Sequence, residues 1–446
     1  MAFDHIRRII MSKRLSVTGT GDSLFVADFP AEYDEELKEI ASVIGENDIR
    51  ITNLETNVSE FGDFGNAYSG GTWLNTEPKD FKYLEKYGFN FYGTANNHVM
   101  DYSYHGMLDT IKELEKRGYA HSGTGYDLQD ASKPGIIEVD GKKIAIIAIT
   151  TQFNEASKAG IPTPKMKGRP GVNYAGYTKY FQIDKEDVEA LERIAEKCDI
   201  NTQRNANIKT GYVKKDPEGV YVFGGVNFCY DGSKPITVCV EKDKQRLVND
   251  IKEAKKVCDY VFVVIHCHTM EGKSQENVPT HFRELSMACI DAGASAMIGG
   301  GTHQLRPIEI YKGKPIIYSL GDFIYQGMRV KYFPADFLHK WGCSENATAY
   351  EGLMARSHGG KIGLQALESS FITVLPKMEF EGEKLVSMEV YPVSLGFTRE
   401  GDMNGLPYIA KGEEAKKIYD IVDRLSRPYG TNFEFDGQKM ILKIED

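Results

Sequence analysis

Short apolar runs alternate with amphipathic stretches along most of the chain. The strongest apolar run, residues 259–265, is apolar on both faces and therefore predicts a central, fully buried strand. Weaker runs predict strands over 14–18, 48–52, 89–93, 143–149 and 296–298. Apolar residues at helical spacing predict helices over 32–44, 78–87, 105–114, 242–256, 280–292 and 412–425.

The order of these elements predicts the fold class. Up to Gly118 strands and helices alternate, but hairpin signals follow, such as Asp140-Gly141 between two predicted strands. This order predicts an α/β (α+β) fold with a mixed sheet, or with two sheets, rather than a doubly wound sheet. Residues 151–180 are rich in Gly, Pro and Lys and predict a long loop.

The 446 residues exceed one ordinary core, and two segments interrupt the pattern. We predict one large domain over 14–396 with insertions near 198–240 and 326–370. A C-terminal extension of helix and strand over 397–446 is expected to pack on this domain.

Net charge and cysteine spacing indicate which partners and which cellular compartment the protein has. The net charge of −10 argues against a general nucleic-acid or anionic-membrane surface, so an anionic substrate would need a local positive centre such as a metal ion. The seven cysteines lack Cys-x-x-Cys spacing, which is typical of free thiols in a reducing compartment. The apolar run within the basic stretch Met1–Lys13 is too short for the core of a signal peptide. The sequence also has no run of ~18 consecutive apolar residues, the length that a membrane-spanning helix needs. We therefore expect a cytoplasmic protein with no membrane segment, while association with the cell envelope stays open.

The candidate chemistry lies where predicted strands end. Asn97 and His98 follow the strand 89–93, and the two earlier strands lead to Asp22 and Glu55. Open α/β sheets build their sites at the carboxyl ends of strands. An amide oxygen suits a divalent cation, and a neighbouring imidazole is free to bind substrate or to donate a proton. Each residue alone is also typical of a turn, of a helix cap or of a solvated surface.

Three histidines follow later strands. His266 and His268 come directly after the strand 259–265, and alternation puts both on one face. His303 follows a run of glycines that lets the backbone approach a ligand closely. A lone histidine is usually a satisfied polar contact, but two on one face favour metal or substrate binding. Carboxylate, amide and imidazole together are the ligands of a hydrolytic divalent-metal site.

Several short motifs occur together in the order of one bacterial family. They are Gly21-Asp22, Asn53-Leu54-Glu55, Asn96-Asn97-His98, Arg169-Pro170-Gly171-Val172, His266, Asp291-Ala292-Gly293-Ala294 followed by Gly299 and His303, and Tyr318-Ser319-Leu320-Gly321-Asp322-Phe323. They cover roughly residues 14–325. The chain thereby resembles the poly-gamma-glutamate capsule-synthesis proteins of CapA/PgsA type, which have a metallophosphatase-like fold.

The resemblance carries expectations for fold, site and partners. It implies a four-layer α/β/β/α sandwich with two mixed sheets, with the site at the strand ends. It implies His98 as an acid or an anion contact, and Glu55 as a bridge between metal ions. The implied metal ligands are Asp22, Glu55, Asn97, His266 and His303, and the implied substrate contacts are Asn96, Arg169 and Asp322. The implied cofactor is Mn, Fe or Zn, one or two ions per chain, and the implied partner is an anionic small molecule, peptide or polymer, not a nucleic acid.

Two positions depart from the family pattern. The family has a histidine two residues before its last histidine and a proline between them, whereas this chain has Gly301 and Thr302. One ligand of a second metal is therefore missing. His268 is the candidate replacement because it shares a strand face with His266. If the two side chains cannot converge, one ion binds firmly and the second weakly or not at all, and this second outcome is the one that we expect. Asp322 stands where the family usually has asparagine.

These residues leave three functions open. The first is a metal-dependent hydrolase of an amide, such as a γ-glutamyl or peptide bond, or of a phosphoester, linked to capsule or envelope polymer synthesis. The second is a metal-binding protein that does not hydrolyse, for example an isomerase. The third is an inactive polymer-binding module. The same electrophilic metal serves amides and phosphates, so the sequence does not decide between these substrates.

Overall fold

A computed structural model of the chain describes residues 14–62 and 64–443. The prediction made for Met1–Lys13 lies outside the described residues. Among the described residues, no helix combines the length and the apolar character needed to span a membrane. The described chain is a mixed α/β structure with several sheets.

The strands follow one another along the whole described chain. In chain order they are β1 Leu15–Leu24, β2 Ile49–Leu54, β3 Asn57–Val58, β4 Asn75–Thr76, β5 Phe91–Gly93, β6 Ala120–Ser122, β7 Thr124–Gly125, β8 Gly135–Val139, β9 Lys142–Thr150, β10 Gly171–Val172, β11 Tyr177–Gln182, β12 Val220–Phe223, β13 Val226–Cys229, β14 Thr237–Cys239, β15 Tyr260–His266, β16 Ala296–Gly300, β17 Ile308–Tyr311, β18 Lys314–Ile317, β19 Asp322–Tyr325, β20 Ile372–Glu381, β21 Lys384–Ser394, β22 Tyr408–Ile409, β23 Phe433–Phe435 and β24 Met440–Leu442.

The α-helices lie mainly in the connections between these strands. In chain order they are α1 Asp34–Gly45, α2 Phe81–Glu85, α3 Ser103–Lys116, α4 Leu128–Ala131, α5 Lys185–Lys197, α6 Thr202–Lys209, α7 Glu241–Lys255, α8 Thr280–Asp291, α9 Ala335–Lys340, α10 Ala349–Arg356 and α11 Gly412–Ser426.

The larger sheet has mixed strand directions. Its order is β23-β24-β21-β20-β1-β2-β5-β6, while β19 also pairs with β1 and β22 with β21. The strands β1, β2, β5 and β6 are parallel, and β19 runs parallel to the last residues of β1. The strand β20 is antiparallel to β1. The carboxyl ends of the parallel strands therefore meet at one edge of this sheet.

The second sheet has the order β17-β18-β16-β15-β9-β8. Its strand β15 pairs in parallel with both β9 and β16, and β8 and β17 are antiparallel to their neighbours. Every residue of β15 is buried, as its apolar run predicts. The strands β11 to β14 form a separate four-stranded sheet.

One apolar core lies between the two large sheets. It joins residues of β1, β2 and β5, such as Val17, to residues of β9, β15 and β16, such as Phe262. A fully buried side chain of this kind contributes roughly 1.5–3 kcal/mol. On its other face the second sheet packs against α7 and α8, and the larger sheet packs against α1 and α2. The shared core holds the carboxyl ends of both sheets close together.

Most predicted elements are confirmed, with shifted ends. The strand β1 reaches Leu24, so Asp22 lies within a strand at a shift of register rather than after its end. The helix expected over 78–87 is shorter, because only Phe81–Glu85 is α-helical. The long loop expected over 151–180 is wrong in part, because β10 and the start of β11 lie inside it. The strand β11 has no buried residue and pairs with β13 and β14, which are distant in the chain and leave no local signal.

The segment 326–370 contains the helices α9 and α10. Phe337 of α9 packs edge-on against Trp73, with ring centroids 5.9 Å apart. Gly352 of α10 lies against Leu338, where a Cβ atom would come within 2.7 Å of that side chain. The predicted insertion therefore packs against the loop that follows β3.

Candidate metal centre

All of the predicted site residues except Arg169 lie where the parallel strands of both sheets end. Asp22 lies in β1, paired with Asn53 of β2 and with Asp322 of β19. Glu55 directly follows β2, and the pair Asn97-His98 follows β5. The ends of β15 and β16 approach the same place from the second sheet, because the two sheets share a core.

The strand β15 positions His266, which is its last residue. His266 is in register with Thr150 of β9 and with Gly300 of β16. Its carbonyl accepts a hydrogen bond of 2.9 Å from the backbone N–H of Thr151. Only 1% of His266 is exposed. A buried apolar strand therefore delivers an imidazole to the edge at which the carboxylates of the larger sheet arrive.

Asp22, Glu55 and His266 form a first set of metal-donor atoms. One donor atom of each lies within 4.8 Å of the other two. The Nδ1 atom of His266 is 3.4 Å from Oδ1 of Asp22, and its Nε2 atom is 3.3 Å from Oε1 of Glu55. All three side chains are buried. Carboxylate and imidazole donors of this kind suit Zn, Mn or Fe.

Glu55, His268 and His303 form a second set of metal-donor atoms, again within 4.8 Å of one another. The Nε2 atom of His268 is 3.8 Å from Oε1 of Glu55. The rings of His268 and His303 have centroids 5.0 Å apart. Glu55 belongs to both sets, as a carboxylate that bridges two ions does.

His268 leans toward His266 although it lies beyond the strand end. Their Nε2 atoms are 2.9 Å apart, and both lie near Oδ1 of Asn97, at 2.6 Å from His266 and 3.1 Å from His268. Residues two apart on an extended strand are separated by ~6–7 Å, so the rings converge after the strand has ended. This geometry favours His268 as the replacement for the missing ligand and brings Asn97 to both sets.

Two hydrogen bonds fix the carboxylate of Asp22. The side-chain amide of Asn53 donates to Oδ1 at 2.6 Å, and the backbone N–H of Gly301 donates to Oδ2 at 2.6 Å. Partners of this kind hold a carboxylate in the orientation that a metal ion requires.

Glu55 is the least satisfied polar group of the cluster. The side chain is fully buried, yet neither oxygen accepts a hydrogen bond from a described residue. Burial would raise the pKa of Glu55, but the imidazoles of His266, His268 and His303 outweigh burial and hold this pKa well below its usual range. A buried, ionised carboxylate without hydrogen bonds fits a divalent cation.

The neighbouring carboxylates determine which imidazoles are doubly protonated and positively charged. Burial alone would lower the pKa of His266, but Glu55 and Asp22 raise it to about 10. Burial likewise opposes protonation of His303, but Asp322 raises that pKa to about 9. Burial lowers the pKa of His268 to about 4. In the metal-free cluster the rings of His266 and His303 are therefore positively charged at neutral pH, and the ring of His268 is neutral.

His98 stands beside the metal-donor atoms and pairs with a buried acid. Its Nε2 atom is 3.9 Å from Oε1 of Glu55, and its Nδ1 atom is 2.6 Å from Oδ2 of Asp101. Asp101 also accepts the backbone N–H groups of Gly70 and Leu74, both at 2.8 Å. Burial would lower the pKa of His98, but Asp101 and Glu55 raise it above its ordinary value. The pair can therefore hold a proton at Nε2 and deliver it to a substrate.

The loop that contains Gly70 and Gly71 lies against the ring of His98. At Gly70 a Cβ atom would lie 2.5 Å from Cδ2 of His98, so a larger residue would collide with the ring. The carbonyl of Gly70 accepts a hydrogen bond of 2.9 Å from the side-chain amide of Asn97. Beside this loop, His98 and His303 line a common cavity of about 130 Å³.

Asn96 and Asp322, which the resemblance implies as substrate contacts, are buried. Asn96 donates to the carbonyl of Leu54 at 2.8 Å and accepts the backbone N–H of His98 at 3.0 Å, so it fixes the turn. Asp322 pairs through Oδ1 with Nδ1 of His303 at 2.8 Å and so orients that ring. Direct contact of either residue with substrate stays a prediction.

The described hydrogen bonds of Arg169 are with the backbone of a nearby loop and not with the candidate site. Its exposed guanidinium donates from Nε and Nη2 to the carbonyl of Lys158, at 3.1 and 3.0 Å. Two residues later Gly171 pairs with Gly125 of β7 rather than with a strand of the large sheets. Among the described residues, Arg169 thus has no contact with the metal-donor atoms.

Sequence reasoning missed Asn53, Asp101 and the backbone N–H of Gly301. Asn53 lies two residues before Glu55, and this strand period was a usable signal. Asp101 lies three residues after His98, the spacing at which side chains meet in a helical turn. The backbone N–H of Gly301 has no such signal, because any residue type has this group and its approach to Asp22 depends on how the end of β16 lies against β1.

The chain is similar to known proteins over much of its length. The family described as bacterial capsule synthesis protein PGA_cap matches residues 9–327, a range that contains both donor sets. The uncharacterized protein y4sH of Sinorhizobium fredii is 27% identical over 440 residues, which cover 96% of this chain and 93% of that protein. The PGA biosynthesis protein CapA of Bacillus subtilis is 28% identical over 254 residues, which cover 56% of this chain and 47% of CapA, so the chain matches about half of that relative.

A solved structure is similar over most of the chain but only weakly. It is a hypothetical protein from Thermus thermophilus, with 12% identity and a TM-score of 0.36, and the match covers 85% of this chain and 98% of that protein. The family match carries more weight, because it spans well over half of the chain and confirms the resemblance drawn from the motifs. This protein therefore belongs to the bacterial capsule synthesis protein PGA_cap family.

Proposed function

We propose that the protein is a metal-dependent hydrolase linked to the synthesis of a capsule or another envelope polymer. Its proposed substrate carries an amide of γ-glutamyl or peptide type, or a phosphoester. Membership of the capsule synthesis family supports the link to polymer synthesis, as does the similarity to the PGA biosynthesis protein of Bacillus subtilis. The hydrolytic part of the proposal rests on the chemistry of the donor residues.

The observation that carries the proposal is the state of Glu55. It is buried, has no hydrogen-bond donor among the described residues and belongs to both sets of donor atoms. In the metal-free protein the protonated rings of His266 and His303 balance the charge of Glu55, but neither of its buried oxygens accepts a hydrogen bond from a described residue. Two divalent ions held by the two donor sets would compensate the charge of Glu55 in place of those protons.

The residues assigned to the metals follow from the two donor sets. Asp22, Glu55 and His266 would hold one ion, and Glu55, His268 and His303 the other, with Asn97 near both. When bound, such ions polarise the scissile group and lower the pKa of a water molecule. Mn, Fe and Zn all accept this mixture of nitrogen and oxygen donors.

The remaining residues orient the ligands and handle the proton. Asp322 holds Nδ1 of His303, which leaves the other nitrogen of that ring for the metal. Asp101 holds Nδ1 of His98 and stabilises the imidazolium, so that Nε2 can give its proton to the leaving nitrogen or oxygen. In this role His98 is a general acid and contributes roughly 10²–10⁴-fold to the rate.

We also propose the four-layer α/β/β/α arrangement of the metallophosphatase-like fold for the large domain over 14–396. The core shared by the two large sheets supports this arrangement, and so do the helices on the outer face of each sheet. The segments 198–240 and 326–370 are then insertions, and 397–446 is an extension whose strands β22 and β24 pair with β21.

Metal analysis and two chromogenic substrates test the function. We expect purified protein to contain Mn, Fe or Zn, and the loaded protein to hydrolyse either γ-glutamyl-p-nitroanilide or p-nitrophenyl phosphate. The variant His98→Asn is the matched control, because it should keep the metal and lose the activity.

Other outcomes would point to the other functions. Bound metal without hydrolysis of either substrate contradicts the hydrolase and favours a non-hydrolytic metalloprotein such as an isomerase. A protein that takes up no metal but binds poly-γ-glutamate contradicts both and favours an inactive binding module.

A further inference from the structure

We propose that Arg356, from the insertion 326–370, binds an oxyanion of the substrate beside the metal centre. The oxyanion is a carboxylate or a phosphate group at a distance from the bond that reacts. This inference rests on the proposed function, because it takes His98 and His303 to face the reacting bond. It adds a specificity residue that lies outside the part of the chain matched by the family, residues 9–327.

Arg356 shares a cavity with the candidate site. The cavity of about 130 Å³ is lined by His98 and His303 of the candidate site and also by Arg356 and Tyr325. No residue that lines it is acidic, although the chain has a net charge of −10. The polar side chains around this cavity are therefore mainly donors and cations, which is the environment that an anion needs.

The guanidinium of Arg356 is only partly used by the protein. Its Nη1 atom donates to the carbonyl of Gly71 at 3.0 Å and to Oγ1 of Thr72 at 2.9 Å. Among the described residues, its Nε and Nη2 atoms have no hydrogen-bond acceptor, and no carboxylate lies within 4 Å. A half-buried arginine usually pairs with an acid, and its planar fork fits a carboxylate or a phosphate with two hydrogen bonds.

The fold holds Arg356 in place before any ligand arrives. It is the last residue of α10, whose start is fixed by a capping box between Thr348 and Glu351. Its guanidinium lies over the ring of Phe337, 5.8 Å from the ring centroid. A positioned fork loses little side-chain entropy on binding, which favours recognition of a small anion.

Tyr325, which also lines the cavity, supplies a second donor. Burial raises the pKa of its hydroxyl well above the ordinary value, so the hydroxyl stays protonated. Among the described residues it has no hydrogen-bond partner. Gly327 leaves room for this ring, because a Cβ atom there would lie 3.0 Å from the hydroxyl oxygen.

The test is the binding of small oxyanions to the protein with and without metal. Glutarate and inorganic phosphate are titrated calorimetrically into metal-free protein, where side chains alone can bind them, and then into metal-loaded protein. We expect Arg356→Met to weaken the binding of at least one anion about 10- to 100-fold, as loss of charged hydrogen bonds does. Arg356→Lys should lie between the two, because it keeps the charge and loses the fork. Preference for glutarate indicates a substrate carboxylate, and preference for phosphate indicates a substrate phosphate.

A matched arginine variant separates recognition at the cavity from a general effect of charge. Arg14 lies just before the start of β1, pairs with Glu379 and does not line the cavity, so Arg14→Met should leave anion binding unchanged. The inference is overturned if wild-type protein binds neither anion, if Arg356→Met binds both as wild type does, or if Arg14→Met loses as much affinity as Arg356→Met.

The two proposals fail separately in this design. Absence of metal uptake would overturn the proposed function, while the metal-free titrations would still report on Arg356. Normal metal content with anion binding that ignores Arg356 would overturn only this inference.

Discussion

The backbone N–H of Gly301 donates a hydrogen bond of 2.6 Å to Oδ2 of Asp22, at the position where the family pattern has a histidine. Gly301 has a φ of +111°, and a Cβ atom there would lie 2.7 Å from the backbone nitrogen of Cys267. No side chain fits at this position without a shift of the backbone. A backbone donor that orients an aspartate therefore stands in place of a side-chain ligand.

We expect Gly301→Ala to destabilise the metal-free protein by about 2–3 kcal/mol, because the new Cβ meets backbone atoms at a positive φ. Gly313→Ala is the matched control, since Gly313 has a φ of +74° but nothing within 4 Å of a Cβ atom. It should cost only about 1 kcal/mol. Urea denaturation of both variants measures the difference. Equal losses would contradict close packing at Gly301.

Replacing Glu55 should remove the response of the fold to metal. A ligand at 100 times its Kd stabilises the native state by about 2.7 kcal/mol, and Glu55→Gln should abolish most of this gain because both donor sets contain Glu55. Thermal unfolding with and without Mn²⁺ or Zn²⁺ measures it. Glu60→Gln, at an exposed glutamate nearby, should behave as wild type. A full metal response in Glu55→Gln would disprove its bridging role.

His268 should decide how many ions bind. Its Nε2 atom lies with Glu55 and His303 in the second donor set, so His268→Ala should weaken one ion and leave the other in place. Calorimetric titration of metal-free protein with Mn²⁺ or Zn²⁺ gives the stoichiometry and the two affinities. If wild type has two equally tight sites and His268→Ala leaves both unchanged, His268 is not the replacement ligand and the second site is not weakened.

Substitution of His98 should lower the rate of catalysis without removing the metal. His98→Ala should retain the metal and lower kcat roughly 10²–10⁴-fold, since the proton donor is lost. Asp101→Asn should also lower kcat, because it removes the partner that keeps the imidazole charged. Metal content and kcat are measured on the same preparations. Loss of metal in His98→Ala as complete as in Glu55→Gln would contradict the assignment of His98 as an acid.

The sequence predicted the strands and the polar residues near their ends, because buried apolar runs and period-two alternation are local signals. It identified His266 and Glu55 for this reason. It did not predict that Asp22 lies within β1, since a shift of register depends on the neighbouring strand. It also assigned Arg169 to the substrate from a motif, whereas the described contacts of Arg169 are with Lys158.

The cavity beside the site was beyond sequence reasoning for a different physical reason. Arg356 reaches it because α10 packs on α9 and Phe337 of α9 packs on Trp73, and each contact joins residues distant in the chain. Long-range packing of this kind leaves no periodic pattern. The segment 326–370 could therefore be recognised from the sequence only as an interruption.

Metal binding should release protons, and its affinity should rise with pH. In the metal-free protein the pKa of His266 is about 10 and that of His303 about 9, both raised by neighbouring carboxylates against the effect of burial. Both rings are thus protonated at pH 7, and a metal can bind their nitrogens only after these protons leave. His268, with a pKa of about 4, is already neutral and contributes none.

The affinity of the cluster for metal should therefore depend on pH. Each proton that must leave makes binding about tenfold weaker for each pH unit below the pKa, so the apparent affinity should rise from pH 6 to about pH 9 and level off near pH 10. At pH 7 about two protons should be released when both ions bind. Calorimetry in two buffers of different ionisation enthalpy counts them, and His303→Ala should release about one fewer. A metal affinity that stays constant from pH 6 to pH 9, with no proton release, would show that these imidazoles do not bind the metal.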